Sequence, residues 1–166
     1  ANQIVGKTLA YLKDRVKPGM TLKEVDKLGE DYIRSFGAVP SFLGLYGFSG
    51  SVCTSVNSVV IHGIPTDYVL QEGDIVGLDI GTKLDGWCGD GAITMGVGEI
   101  SKRDQDLIDC AKDTLYHAID FIKPGLRFKE LSAEIERFIT GRGYVPLKQF
   151  CGHGIGQSPH EEPEIP

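Results

Sequence analysis

VKPGMTLKEVDKLGEDYIRSFGAVP, residues Val16–Pro40, has a near copy 106 positions later: IKPGLRFKELSAEIERFITGRGYVP, Ile122–Pro146. Ten positions are identical without a gap: Lys17/Lys123, Pro18/Pro124, Gly19/Gly125, Lys23/Lys129, Glu24/Glu130, Glu30/Glu136, Ile33/Ile139, Gly37/Gly143, Val39/Val145 and Pro40/Pro146. Each copy reads as a KPG break, an amphipathic helix and the entry to a strand. In the first copy Thr21 and Glu24 form a capping box, and Gly37 ends the helix. A match that runs through turn, helix and strand predicts a duplicated fold, one domain with halves of roughly 1–100 and 101–166. The first half has 60 residues after its Val-Pro and the second has 20, so the closing strands of the second half are expected to be missing here.

The flanking segments follow from this frame. IVGKTLAYLKDRV at Ile4–Val16 has apolar residues at helical spacing. Ser101 and Asp104 resemble a cap that opens a third helix, and FKELSAEIERFIT forms a fourth. Between the copies the texture is β: SVCTSV, SVVIHG and DIVGLDIGTKLDGWCGDGAITMGV read as strands and hairpins. A further strand is expected over Tyr144–Cys151. The class is α+β.

Bulk properties exclude several functions. The 166 residues suit one domain with a real core, and 41% hydrophobic with 24% charged residues is ordinary for a soluble protein. The net charge of −6 comes without a basic stripe, so DNA binding is not expected. No apolar run approaches the ~18 residues of a membrane span, and no secretory leader is expected. Cys53, Cys88, Cys110 and Cys151 are widely spaced and read as reduced thiols of a cytoplasmic protein. No GxSxG elbow, P-loop or dinucleotide fingerprint occurs, and Cys151, near His153, is expected to be a buried structural thiol.

The hairpin GDIVGLDIGTKLDGWCGDGAITMG carries the strongest chemical signal. A loop centred on Leu84-Asp85 places Asp79 directly opposite Asp90; a turn at Asp85-Gly86 makes them diagonal neighbours. Both registers leave the two carboxylates on one face, because an even slip preserves it. Like charges so placed call for a cation between them or for one of them to be protonated, and two carboxylates on adjacent strands are a natural clamp for a divalent metal. Val76, Leu78, Ile80 and Trp87 are expected to keep that face from being fully wet, Trp87 by packing. Asp74 and Asp85 read as turn or cap residues.

The histidines complete the inventory. His117 lies mid-helix and is expected to be structural. His62 ends the apolar run VVIHG, His153 lies between glycines in CGHGIG, and His160 lies in PHEEP. Two Asp and one His make a mixed oxygen and nitrogen site suited to Mn, Fe, Co or Zn. Spacing alone leaves open which histidine binds metal and which handles substrate.

SVCTSVNSVVIHGIP, GDIVGLDIGTKLDGWCGD, CGHGIG and HEEP together resemble type I methionine aminopeptidase, in order and over nearly the whole chain. The resemblance implies the pita-bread fold, two pseudo-symmetric halves around a site for two divalent metals, and removal of the initiator methionine from nascent proteins. It implies that Asp79 and His153 are metal ligands and that Asp90 bridges the metals. It implies that His62 and His160 contact substrate, with His160 helping to stabilise the tetrahedral intermediate, and that Leu45, Phe48 and Cys53 line the methionine pocket. Phe42, Leu45 and Pro159 depart from the family's residue types. The family has two further glutamate ligands downstream of HEEP, which Glu161 and Glu162 do not match, so impaired activity is expected of these 166 residues. The partners expected are nascent peptides and, with them, the ribosome, together with self-association through open sheet edges. The competing readings are a non-catalytic peptide-binding module and an X-Pro peptidase of the same fold.

Overall fold

A computed structural model describes residues 1–166, which fall into two compact units. Ala1–Ser101 with Ile155–His160 form the first, and Lys102–Gly154 with Glu161–Pro166 the second. No helix is long and apolar enough to cross a membrane.

The first unit packs α1 (Asn2–Lys13) and α2 (Leu22–Ser35) on a four-stranded antiparallel sheet. Thr21 caps α2 as the sequence predicts: its Oγ1 accepts from Glu24 N at 3.2 Å, and its own N–H donates to Glu24 Oε2 at 2.7 Å. The strands are β1 (Val39–Pro40), β2 (Val52–Val56), β3 (Ile75–Leu84) and β4 (Trp87–Gly96). β3 is central, with β1 and β2 along one side and β4 along the other. Val76, Leu78 and Ile80 point from β3 into a core with Val5, Leu9, Leu12 and Val16 of the α1 segment and Leu22 and Val25 of α2. Each such aliphatic side chain contributes about 1.5–3 kcal/mol on burial.

The second unit joins α3 (Lys102–Phe121) to α4 (Phe128–Gly141) and pairs β5 (Gly152–Gly154) with β6 (Glu161–Ile165). Its helices repeat those of the first unit at the offset of 106. Leu22–Ser35 maps onto Phe128–Gly141 end for end. Gly19 and Gly125 both have positive φ, at 90° and 85°. Tyr11 stacks on Tyr32 at 4.0 Å, and their counterparts His117 and Phe138 stack at 4.2 Å. Thr8 Oγ1 donates to Ile4 O, and Thr114 Oγ1 to Cys110 O. His117 also bonds Glu134 at 2.6 Å between α3 and α4, in keeping with a structural role. Burial differs between the copies. Leu9 and Val16 are each 7% exposed against the four-stranded sheet, whereas Leu115 and Ile122 are 57% and 58% exposed.

Two expectations about strands change. SVVIHG is not a strand but part of a loop that turns back on β2. Asn57 takes a positive φ of 51° and ends β2, bonding Ile75 N through its side-chain oxygen and Asp74 through its amide. Tyr144–Cys151 is irregular as well. Its counterpart Val39–Pro40 pairs with β3, and the second unit has no equivalent of β3 to receive it. The Glu-rich tail, by contrast, contains β6, which its charges and Pro163 hid.

Candidate metal and substrate site

The Asp85-Gly86 turn sets the hairpin register. Both residues have positive φ, at 52° and 83°, as a two-residue type I′ turn demands. Asp79 therefore pairs with Ala92 and Gly81 with Asp90, so the two carboxylates are diagonal neighbours on one face. Diagonal positions stand about 7–8 Å apart along the backbone, within joint reach of one cation. The residues flanking them on that face are small: Gly77 and Gly81 on β3, Cys88 and Ala92 on β4. A side chain at Gly81 would collide with Ser41 Oγ and come within 2.5–2.8 Å of Phe42, so Phe42 seats over Gly81 on the Asp79 side of the strand.

Val76, Leu78 and Ile80 do not shield the carboxylates, because they alternate onto the opposite, helix-covered face. Trp87 does not pack either; it is 56% exposed at the hairpin tip. It lines an open groove of about 460 Å³ with Ile4, Leu84, Cys88, Ile155 and Gly156, and no candidate site residue lines that groove.

Cys53 on β2 pairs directly with Asp79 and is buried. Burial, then the charges of Asp79, Asp90 and Asp26, push its thiol up to about 12. Leu45 and Phe48, both half-buried, flank a 3₁₀ turn at Leu45–Gly47 in the loop that leads into β2. Asp74 is a structural hub, in keeping with its reading as a turn or cap residue. Burial raises its carboxyl, but bonds from Gln71 N, Asn57 and Tyr68 together hold it below the usual range.

His62 is exposed, with a positive φ of 55°, rather than closing a strand. The next residue fixes it: Thr54 N donates to Gly63 O at 2.8 Å, and Gly63 N donates to Ser55 Oγ at 3.1 Å. The loop is thereby tied to the outer edge of β2. His160 is exposed and belongs to the first unit, on the strap Ile155–His160. Cys88 N donates to Gly156 O at 2.7 Å and Lys83 Nζ to Gln157 O at 3.2 Å, binding the strap to the turn end of the hairpin. The ring of Tyr46 lies parallel to His160 with centroids 6.3 Å apart. The first unit thus carries Asp79, Asp90, Cys53, Leu45, Phe48, His62 and His160 on one sheet and its loops.

His153 lies in the second unit, in β5, where it pairs with Glu164, and its Nδ1 bonds Gly154 O at 2.8 Å. Cys151 is exposed, not buried, because the segment before it makes no strand. Within either unit no three His, Cys, Asp or Glu side chains converge to hold a metal. The donor set of the hairpin, two carboxylates on one face with small neighbours, nonetheless fits a divalent cation.

Metallopeptidase family M24 is matched over residues 1–166. The chain belongs to that family. It is 58% identical over 166 residues to the methionine aminopeptidase of Helicobacter pylori, covering all of this chain and 66% of the relative. The crystal structure of methionine aminopeptidase from Rickettsia prowazekii superposes with a TM-score of 0.95 at 35% identity, over 98% of this chain and 65% of that one. A crystal structure of X-Pro aminopeptidase from Thermotoga maritima is a more distant likeness, at TM-score 0.81 and 26% identity, covering 99% of this chain and 45% of that one. The M24 chain described here therefore has the α+β pita-bread fold and spans just under two thirds of the length of the first of these relatives.

The residue that sequence reasoning missed is Asp26. It interrupts the polar side of α2 next to the buried stripe Leu22, Val25, Gly29 and Ile33, and it is itself half-buried. An acid at the margin of an apolar stripe was the available signal.

Proposed function

We propose that the protein is a metal-dependent aminopeptidase of the cytoplasm that removes the N-terminal methionine from nascent proteins. The observation that carries this reading is the diagonal pair Asp79 and Asp90 on one face of the β3–β4 hairpin, in an M24 chain 58% identical to a methionine aminopeptidase. Asp79, Asp90 and His153 are the residues of this chain that would hold two divalent ions, from Mn, Fe, Co or Zn. Such ions, when bound, lower the pKa of water and polarise a carbonyl.

The other roles fall to side chains of the chain itself. Leu45, Phe48 and Cys53 form an apolar, soft-walled pocket for the methionine thioether. His62 and His160 hydrogen-bond the substrate peptide, and the N–H of His160 stabilises negative charge developing at the scissile oxygen. These residues include three of the five ligands that the resemblance implies, so hydrolysis by the 166 residues alone is proposed to be impaired. The exposed Leu115 and Ile122 favour self-association of such a chain.

With metal supplied, the whole protein is expected to release methionine from Met-Ala-Ser at least about 100-fold faster than it cleaves Ala-Pro-Ala, a difference of nearly 3 kcal/mol in transition-state binding. Preference for the X-Pro peptide, or no cleavage of either by the metal-loaded protein, would overturn the reading.

A further inference from the structure

We propose that Asp26 is a positioning residue for the methionine pocket, setting the wall that carries Leu45 and Phe48 and the strand that carries Cys53. The inference rests on the aminopeptidase reading above and deepens it.

Asp26 lies on the second turn of α2, and its Oδ1 accepts two backbone N–H groups, from Ser51 and Val52, each at 2.7 Å. These are the last residue of the loop bearing Leu45 and Phe48 and the first residue of β2. One residue further on is Cys53, opposite Asp79. One carboxylate oxygen therefore fixes the point where the pocket loop becomes the strand beside the metal-binding face. Bonds to a charged acceptor hold position more tightly than neutral ones.

The same turns of α2 hold the second wall. Leu22 N donates to Tyr68 O and Lys23 N to Thr66 O, both at 3.1 Å, so the helix N-terminus binds the loop that carries His62. The two loops meet beside Asp26. A Cβ at Gly50 would stand 2.7 Å from the Pro65 ring and 3.1 Å from Asp26 Oδ1. Burial raises the Asp26 carboxyl while the two amide bonds lower it, and no ion pair joins it to a basic side chain. Its bonding is directed at the backbone of the pocket loop.

The test uses steady-state kinetics of the whole, metal-loaded protein on Met-Ala-Ser. Asp26→Ala is expected to raise KM about tenfold, the size of one charge-assisted hydrogen bond, with kcat changed by less than about threefold. Asp26→Asn keeps an acceptor oxygen in place and is expected to restore KM to within about threefold of wild type. Asp26→Glu moves the carboxylate by one methylene and is expected to reproduce the KM defect, which keeps the test decisive if Asp26→Ala does not fold. A purely structural residue would lower the folded fraction and leave KM of the folded protein alone. Unchanged KM in Asp26→Glu or Asp26→Ala, with wild type active, overturns the positioning role. An inactive metal-loaded wild type overturns the aminopeptidase reading instead.

Discussion

Asp90→Asn in the whole protein is expected to lower kcat/KM on Met-Ala-Ser by about a thousandfold or more, with the fold intact. Asn keeps the size and one acceptor oxygen but removes the charge. Asp90 lies diagonal to Asp79 on a face where the flanking positions are Gly77, Gly81, Cys88 and Ala92, so no neighbouring acid on those strands can take its place. A lost metal ligand removes several kcal/mol of transition-state stabilisation, and each 1.4 kcal/mol is tenfold in rate. Stability moves the other way or not at all, because relieving two like charges on adjacent strands does not destabilise a sheet. The check is kcat/KM together with a urea midpoint. Retention of more than a tenth of wild-type activity would remove Asp90 from the metal-binding role.

Gly63→Ala is expected to cost about 2–4 kcal/mol of stability and about a hundredfold in kcat/KM. A Cβ at Gly63 would run into Thr54 O and lie 2.7 Å from Thr54 C and 2.9 Å from Ser55 Cα. All three atoms belong to the backbone of β2, a strand buried along its whole length, and cannot yield as a flexible side chain would. The loop must lift instead, losing the bonds from Thr54 N and to Ser55 Oγ and carrying His62 with it. Val60→Ser nearby is the control, expected within about 0.5 kcal/mol of wild type because Val60 is 66% exposed. A Gly63→Ala protein of wild-type stability and turnover would show that the loop is not anchored at this point.

The helices were legible because period, cap and terminator agree. Thr21 and Glu24 form the box that the spacing calls for, and the repeat carries the same helix from 22–35 to 128–141. The shared face of Asp79 and Asp90 was legible for a different reason: it survives either hairpin register, and only the positive φ of Asp85 and Gly86 chooses between them. Local composition failed where a long-range contact decides. The β-branched run before His62 reads as a strand, yet Asn57 turns the chain back, and it is Gly63 that bonds across to Thr54 in the middle of β2. Val145 and Pro146 repeat Val39 and Pro40, but strand pairing needs a partner, and only the first unit supplies one. Face assignment also failed for Trp87, whose large apolar ring suggested packing while the tip of a hairpin leaves it in solvent. Its place at the margin of an apolar stripe marks Asp26, but not its role, because its partners are backbone groups 25 and 26 residues away.

The aminopeptidase reading stands or falls on the β3–β4 hairpin as a metal clamp. Titration of the metal-stripped whole protein with Co(II), followed by the visible absorption of bound cobalt, tests it most directly, with Asp79→Asn and Asp90→Asn titrated alongside. Wild type is expected to bind saturably and each variant at least about 100-fold more weakly, with all three equally folded. Equal cobalt affinity in wild type and both variants would contradict it.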